Sequence, residues 1–159
     1  ETDGGWSGGS KTARVLSAGS GNDTVEIHTQ VFEGIYGDSG DDIFSFYGSW
    51  SQHGGLYLGD GNDTVTIVEW TGNAGLDSYS YGGSGNDTYI GRDFVKNDGV
   101  YDRVYDRFYG QEGQDLITGG SANEYFDGGD DVDTISGGAG SDILLGGPED
   151  DIISGGDGA

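Results

Sequence analysis

Three consecutive nonapeptides constrain this chain more than any other feature: Gly128-Gly-Asp-Asp-Val-Asp-Thr-Ile-Ser136, Gly137-Gly-Ala-Gly-Ser-Asp-Ile-Leu-Leu145 and Gly146-Gly-Pro-Glu-Asp-Asp-Ile-Ile-Ser154. They follow the form G-G-x-G-x-D-x-U-x, with two leading glycines, an Asp at the sixth position and a large apolar residue at the eighth in all three, and the fourth-position glycine in the second. A fixed short period of this kind describes a coil that repeats and stacks, because no single unit can bury its one apolar residue alone.

The period continues upstream in looser form. Glycine loops that end on an Asp begin at Ala18, Gly37, Leu58, Gly82, Gly110, Gly128 and Gly146, so the steps between starts are 19, 21, 24, 28, 18 and 18 residues. A step of 18 is two nonapeptides, one full turn of a flattened two-sheet solenoid, and the longer steps read as the same turn with an expanded opposite side. Position eight tests the register, since alternation along a strand aims it at one face. It reads Val25, Phe44, Val65, Tyr89, Ile117, Ile135 and Ile153, and the strands entering each loop place Leu16, Ile35, Leu56, Ser80, Phe108, Phe126 and Leu144 at the matching position. Ser80 is the exception, and its tyrosine neighbours predict a bulge or slip there. The expected core is a thin double column with one apolar residue per strand. Positions seven and nine, often Thr or Ser, face outward.

The fold expected is all-β, a right-handed parallel β-roll with irregular expanded loops on one edge in the first four coils. Residues 1–14 read as an irregular lead-in, 15–109 as irregular coils and 110–159 as regular nonapeptides. The expanded connections fall at about 28–34, 48–55, 71–75 and 92–102. Apolar residues at 101, 104, 105 and 108 predict a short helix over about 100–106. From Gly119 the second edge also carries nonapeptides, first the degenerate Gly119-Gly-Ser-Ala-Asn-Glu124 and then Gly137 to Asp142. No initiator Met is present, neither end carries a capping repeat, and the chain stops inside a nonapeptide, so a piece of a longer repeat protein is expected.

Composition narrows the function. With 35 glycines, one proline and 32% apolar residues, no layered core can form, so the glycines sit in periodic turns or the chain is disordered. A formal charge of −23 opposes folding unless cations bind. Six basic residues against 29 acidic ones exclude nucleic acid and an anionic membrane surface as partners. There is no cysteine, hence no disulfide and no thiolate metal site, and no apolar run is long enough for a membrane span.

Calcium is a hard cation that takes six to eight oxygen ligands. Glycine turns expose carbonyls, a phased Asp supplies charge, and two stacked loops close a site that neither forms alone. On these residues the chain resembles the RTX (repeats-in-toxin, hemolysin-type) calcium-binding β-roll, strictly over 128–154 and more loosely from about 15. That resemblance implies that one loop gives the carbonyls of positions two and four with its Asp, and the next loop those of positions one and three with its Asp. The implied carboxylate ligands are Asp23, Asp42, Asp63, Asp87, Asp115, Asp133 and Asp151 on the long edge, with Asp142 on the short edge. The implied carbonyls are those of Gly19 and Gly21; Gly37, Ser39 and Gly40; Gly59, Asp60 and Gly61; Gly82, Gly83, Ser84 and Gly85; Gly110, Glu112 and Gly113; Gly128, Gly129 and Asp130; and Gly137, Gly146 and Pro148. Seven loops enclose six gaps, hence about six calcium ions, or one or two more if the short edge also binds. Four departures weaken the pattern: Ala122 and Glu124 in the loop from Gly119, Asp131 for a glycine, and Pro148-Glu149 for x-Gly.

The resemblance further implies a calcium-binding repeat module of a type I-secreted bacterial protein, extracellular or at the cell surface. Such a module folds on extracellular calcium and stabilises or presents flanking domains of the same polypeptide. Six ions would bring −23 to about −11, and extracellular modules bind calcium at roughly 10⁻⁴–10⁻³ M. The alternatives are a structural spacer or lattice module of an adhesin or surface layer, and a carbohydrate-binding module that uses Trp50 and Trp70. The basic excursion Arg92, Lys96, Arg103 and Arg107 offers a partner surface for another domain or an anionic glycan, or else packs on the roll. The sequons at Asn22, Asn62 and Asn86 lie inside the metal loops, where a glycan would block stacking. His28 and His53, the two histidines, sit in no catalytic pattern, so no enzymatic activity is expected of this segment.

Overall fold

The computed structural model describes residues 15–28, 31–32, 34–47, 51–52, 55–69, 79–91 and 106–158. Within them every element is a β-strand, and the strands form a two-sheet solenoid. One sheet has seven parallel strands: β1 (Val15–Ser20), β4 (Gly34–Ser39), β7 (Leu56–Asp60), β9 (Tyr79–Ser84), β11 (Arg107–Glu112), β13 (Tyr125–Asp130) and β16 (Ile143–Leu145). The other also has seven, namely β2 (Thr24–Ile27), β5 (Ile43–Tyr47), β8 (Thr64–Glu69), β10 (Thr88–Ile90), β12 (Leu116–Thr118), β14 (Thr134–Ser136) and β17 (Ile152–Ser154). Strands joined by a glycine loop lie in opposite sheets, so each loop turns the chain across the edge of the roll. Two short parallel pairs complete the described residues, both on the second edge: β3 (Val31–Phe32) with β6 (Ser51–Gln52) in its expanded part, and β15 (Ala139–Gly140) with β18 (Asp157–Gly158) in its regular part.

The register is the one expected from position eight. Val25, Phe44, Val65, Tyr89, Ile117, Ile135 and Ile153 pair in succession across the second sheet. Leu16, Ile35, Leu56, Ser80, Phe108, Phe126 and Leu144 do the same across the first. Most of these side chains are fully buried between the sheets, and the outermost Leu16, Val25, Leu144 and Ile153 are less so. Removal of this apolar area from water is the main force drawing the sheets together.

Two expectations need correction. No bulge occurs at Ser80: β9 pairs in unbroken register with β7 and β11, and Ser80 lies in the core column at 7% exposure. Ladder hydrogen bonds use backbone groups, so a hydroxyl in the column leaves the pairing intact. The register instead shifts between Phe46 and Tyr47, where β5 enters the expanded edge. The core is also wider than a double column in the first coils. Ile27, Phe46 and Ile67 form a further buried column, and Leu58, which stands where neighbouring loops have glycine, is buried too. The lead-in over 1–14 and the helix expected over about 100–106 lie outside the described residues, apart from Asp106, which is not helical.

On the outer face of the first sheet, Tyr36, Tyr57, Tyr81 and Tyr109 occupy one register position in successive strands. Their ring centroids are 5.1, 5.1 and 5.3 Å apart with planes within 19° of parallel. Tyr79 and Tyr125 flank this ladder, and the Arg107 guanidinium sits 5.1 Å from the Tyr79 ring centre. Aromatic cross-strand pairs of this kind stabilise a sheet by about 0.2–1 kcal/mol each.

Candidate metal centre

The long edge of the roll is a ladder of carboxylates. Each loop's Asp accepts, through Oδ1, the backbone N–H of the Asp one coil earlier: Asp42 from Asp23 at 2.8 Å, Asp63 from Asp42 at 2.7 Å and Asp87 from Asp63 at 2.8 Å. The series continues with Asp115 from Asp87 at 2.7 Å, Asp133 from Asp115 at 2.8 Å and Asp151 from Asp133 at 2.9 Å. The second oxygen is left over. Oδ2 of Asp42, Asp63, Asp87, Asp115 and Asp133 is buried with no hydrogen-bond partner, and so is Oδ2 of Asp142 on the short edge. A buried carboxylate oxygen without a partner is costly, so each marks a place where a cation or proton is required.

The backbone completes the cage. Positive φ recurs at positions two and four of the loops, at Gly19 and Gly21, Asp38 and Gly40, Gly59 and Gly61, Gly83 and Gly85, and Gln111 and Gly113. This alternation turns the carbonyls of those positions toward the following coil, where Asp38 O abuts Gly59 and Gly61 O abuts Gly85. Carbonyls of positions one and three point back: Leu58 O lies against Gly37, and Ser39 O accepts from Gly21 N at 2.7 Å. Carbonyls of successive loops therefore approach one another along this edge, and the Asp of each later loop reaches back to the loop before it. Among the described residues no three Asp, Glu or His side chains converge into a metal cluster of their own, so any ion here depends on carbonyls as well. Hard oxygen donors of this kind, with anionic charge, fit calcium.

Position five carries a second ladder that sequence reasoning missed. Asp41 N donates to Asn22 Oδ1 at 3.0 Å, Asn62 N to Asp41 Oδ1 at 2.9 Å, Asn86 N to Asn62 Oδ1 at 2.9 Å and Gln114 N to Asn86 Oδ1 at 2.8 Å. It runs opposite to the carboxylate ladder and engages Asn22, Asn62 and Asn86, the asparagines of the sequons. The signal was present in the Asn and Asp that precede the ligand Asp in the upstream loops.

The departures behave differently from one another. Asp131 adopts φ 78° and keeps the loop conformation, whereas neither Ala122 nor Glu149 has positive φ. Glu124 folds back onto its own loop, its Oε1 accepting from Gly120 N at 3.4 Å and Ala122 N at 3.2 Å, and its Oε2 is buried without a partner. Of the proposed partner surface, Trp50, Trp70, Arg92, Lys96 and Arg103 lie outside the described residues, and Arg107 packs on Tyr79.

Burial is the main cause that raises the ladder carboxyls, to about 6 for Asp63, about 7 for Asp115 and about 8 for Asp87; the accepted N–H lowers each and neighbouring carboxylates raise it. Because these values lie above the ordinary carboxylate range near 3.9, the metal-free fold prefers the protonated form. The associated stability is full below about pH 4 and is lost as pH rises through about 6, 7 and 8 in turn. Circular dichroism in the presence of a chelator is therefore expected to show β structure that weakens between pH 4 and pH 8. A signal that strengthens over that window would contradict the protonated ladder.

The RTX calcium-binding nonapeptide repeat model matches the chain in four copies, over residues 81–94, 106–135 and 127–159. No curated protein and no solved structure matches it. Matched repeats, glycine turns and a carboxylate ladder coincide, so over residues 81–94 and 106–159 the chain carries RTX calcium-binding nonapeptide repeats.

Proposed function

We propose that this chain is a calcium-loaded β-roll that folds when it meets extracellular calcium, and that it stabilises or presents flanking domains of its own polypeptide. RTX repeats bind calcium and belong to typically secreted proteins. The observation that carries the reading here is the row of buried, unpartnered Asp oxygens along the long edge. About six ions fill the six gaps between its seven loops. Each adds two positive charges to a chain of −23, so binding supplies folding free energy directly. The role needs no catalytic group.

Calcium titration followed by far-UV circular dichroism tests it. The expected result is a coil-to-β transition at roughly 10⁻⁴–10⁻³ M calcium, with magnesium a poor substitute because its tight octahedral shell suits few carbonyl cages. A chain that stays unfolded in millimolar calcium would sink the reading.

A further inference from the structure

We propose that the outer face of the first sheet is a binding strip for a linear, uncharged polysaccharide, laid along the tyrosine ladder at right angles to the strands. Tyr36, Tyr57 and Tyr79 are exposed by 36%, 40% and 44%, large values for aromatic side chains on a sheet. Gly34 and Gly55, two residues before Tyr36 and Tyr57, are buried beneath them, and a Cβ on these glycines would meet the rings at 2.8 and 2.7 Å. The missing side chains let both rings lie down on the backbone. Their stacked neighbours, 5.1 and 5.3 Å apart, hold the row in place. Among the described residues, none hydrogen-bonds to the hydroxyls of Tyr36, Tyr57, Tyr81 or Tyr109. A row of phenol groups at strand spacing is therefore free for a ligand, each with an apolar body and a polar tip.

Charge and size select the occupant. The chain carries −23, yet from β4 to β13 the outward residues on either side of the core column include one acid, Asp127, and one base, Arg107. Exposed loop acids such as Asp38 and Asp60 begin only at its border. An acidic polymer is repelled by that border and by the net charge, and a basic peptide finds a single carboxylate in the strip to pair with. At ordinary strand spacing and rise, five strands make a strip about 20 Å long and about 10 Å wide. A stable protein–protein interface covers roughly 800 Å² per partner, so a second copy or a globular domain is poorly matched. One extended sugar chain fits. Its rings recur at about the strand spacing, its C–H faces suit the aromatic surface, and its hydroxyls can exchange hydrogen bonds with the phenols. Rings already held in a stack lose little freedom on binding.

The strip needs a folded roll, so it rests on the calcium-loaded reading, yet it can fail separately. Co-sedimentation of the whole chain with insoluble cellulose, chitin and curdlan in millimolar calcium tests it. Retention on at least one of these is expected, displaced by a soluble hexasaccharide of the same sugar and unaffected by polygalacturonate. In the chain carrying Tyr57→Ala with Tyr81→Ala, retention is expected to fall by about tenfold or more, as loss of interface tyrosines does, while the coil-to-β transition persists. A folded double variant that binds as well as the parent would overturn the strip. Should that variant not fold, Tyr57→Phe with Tyr81→Phe decides, because the stacked rings remain and only the hydroxyls go. A fall of about threefold or more is then expected, and unchanged retention overturns the proposal. Capture of poly-lysine in place of the glycans, or a calcium-dependent dimer dispersed by Tyr57→Ala, would overturn it in favour of a basic partner or a second copy. A folded parent that binds none of the glycans overturns the strip alone, whereas a parent that stays unfolded in calcium overturns the proposed function and the strip with it.

Discussion

Replacing Gly85 by valine is expected to leave the chain unfolded at calcium concentrations that fold the parent. Gly85 sits at φ +124°, and a methyl group placed on its Cα would drive into the Gly61 carbonyl one coil back. A β-branched residue in that conformation costs about 1–3 kcal/mol through strain alone. The clash adds to this, because its target is backbone and cannot swing aside. Moving that carbonyl also displaces an oxygen facing the gap between the two loops, so the variant loses an ion's binding energy as well as backbone comfort. The same substitution at Gly21, where nothing lies within 4 Å, meets only the φ penalty. Calcium titrations of the two variants by circular dichroism are expected to separate clearly, with Gly85→Val far the worse. Equal midpoints would show that the stacked carbonyl column carries no weight.

Asp87→Ala is expected to raise the calcium midpoint by about tenfold or more, as loss of a metal-ordering group does elsewhere, and to remove one or two bound ions. Asp87 faces a gap on either side and accepts the buried N–H of Asp63 at 2.8 Å. Alanine abandons that N–H, at a cost of about 1–3 kcal/mol, and deletes charge from both gaps. Asp87→Asn separates the two effects. Its amide oxygen still accepts from Asp63, so the calcium-free chain is expected to fold no worse than the parent at pH 7, where burial already favours a neutral carboxyl at this position. In calcium the same variant is expected to bind fewer ions. If both variants match the parent in calcium titration and ion count, the ladder is not a metal centre.

The long edge was legible in the sequence because glycine turns and ligand carboxylates impose a phase that side-chain variation cannot shift. Val25 through Ile153 pair in the expected order even though their separations range from 18 to 28 residues. The bulge expected at Ser80 did not occur because parallel pairing depends on backbone groups, and a small polar side chain fits the column. Ile27, Phe46 and Ile67 were not read as core because they lie past the nonapeptide frame, where unequal connections hide their common register. The tyrosine ladder was hidden for the same reason, its members standing 21, 24 and 28 residues apart.

The tyrosine ladder also makes the roll optically self-reporting. Four rings held 5.1–5.3 Å apart in one twisted row form a chiral array of coupled chromophores. Their near-ultraviolet signal exists only while β4, β7, β9 and β11 are stacked, whereas far-ultraviolet dichroism sums every strand. A chain losing its end coils first would keep the tyrosine signal as total β content falls. One that parts in the middle would lose it at once. The order in which the coils separate is thus written in light absorbed by residues that take no part in holding the metal.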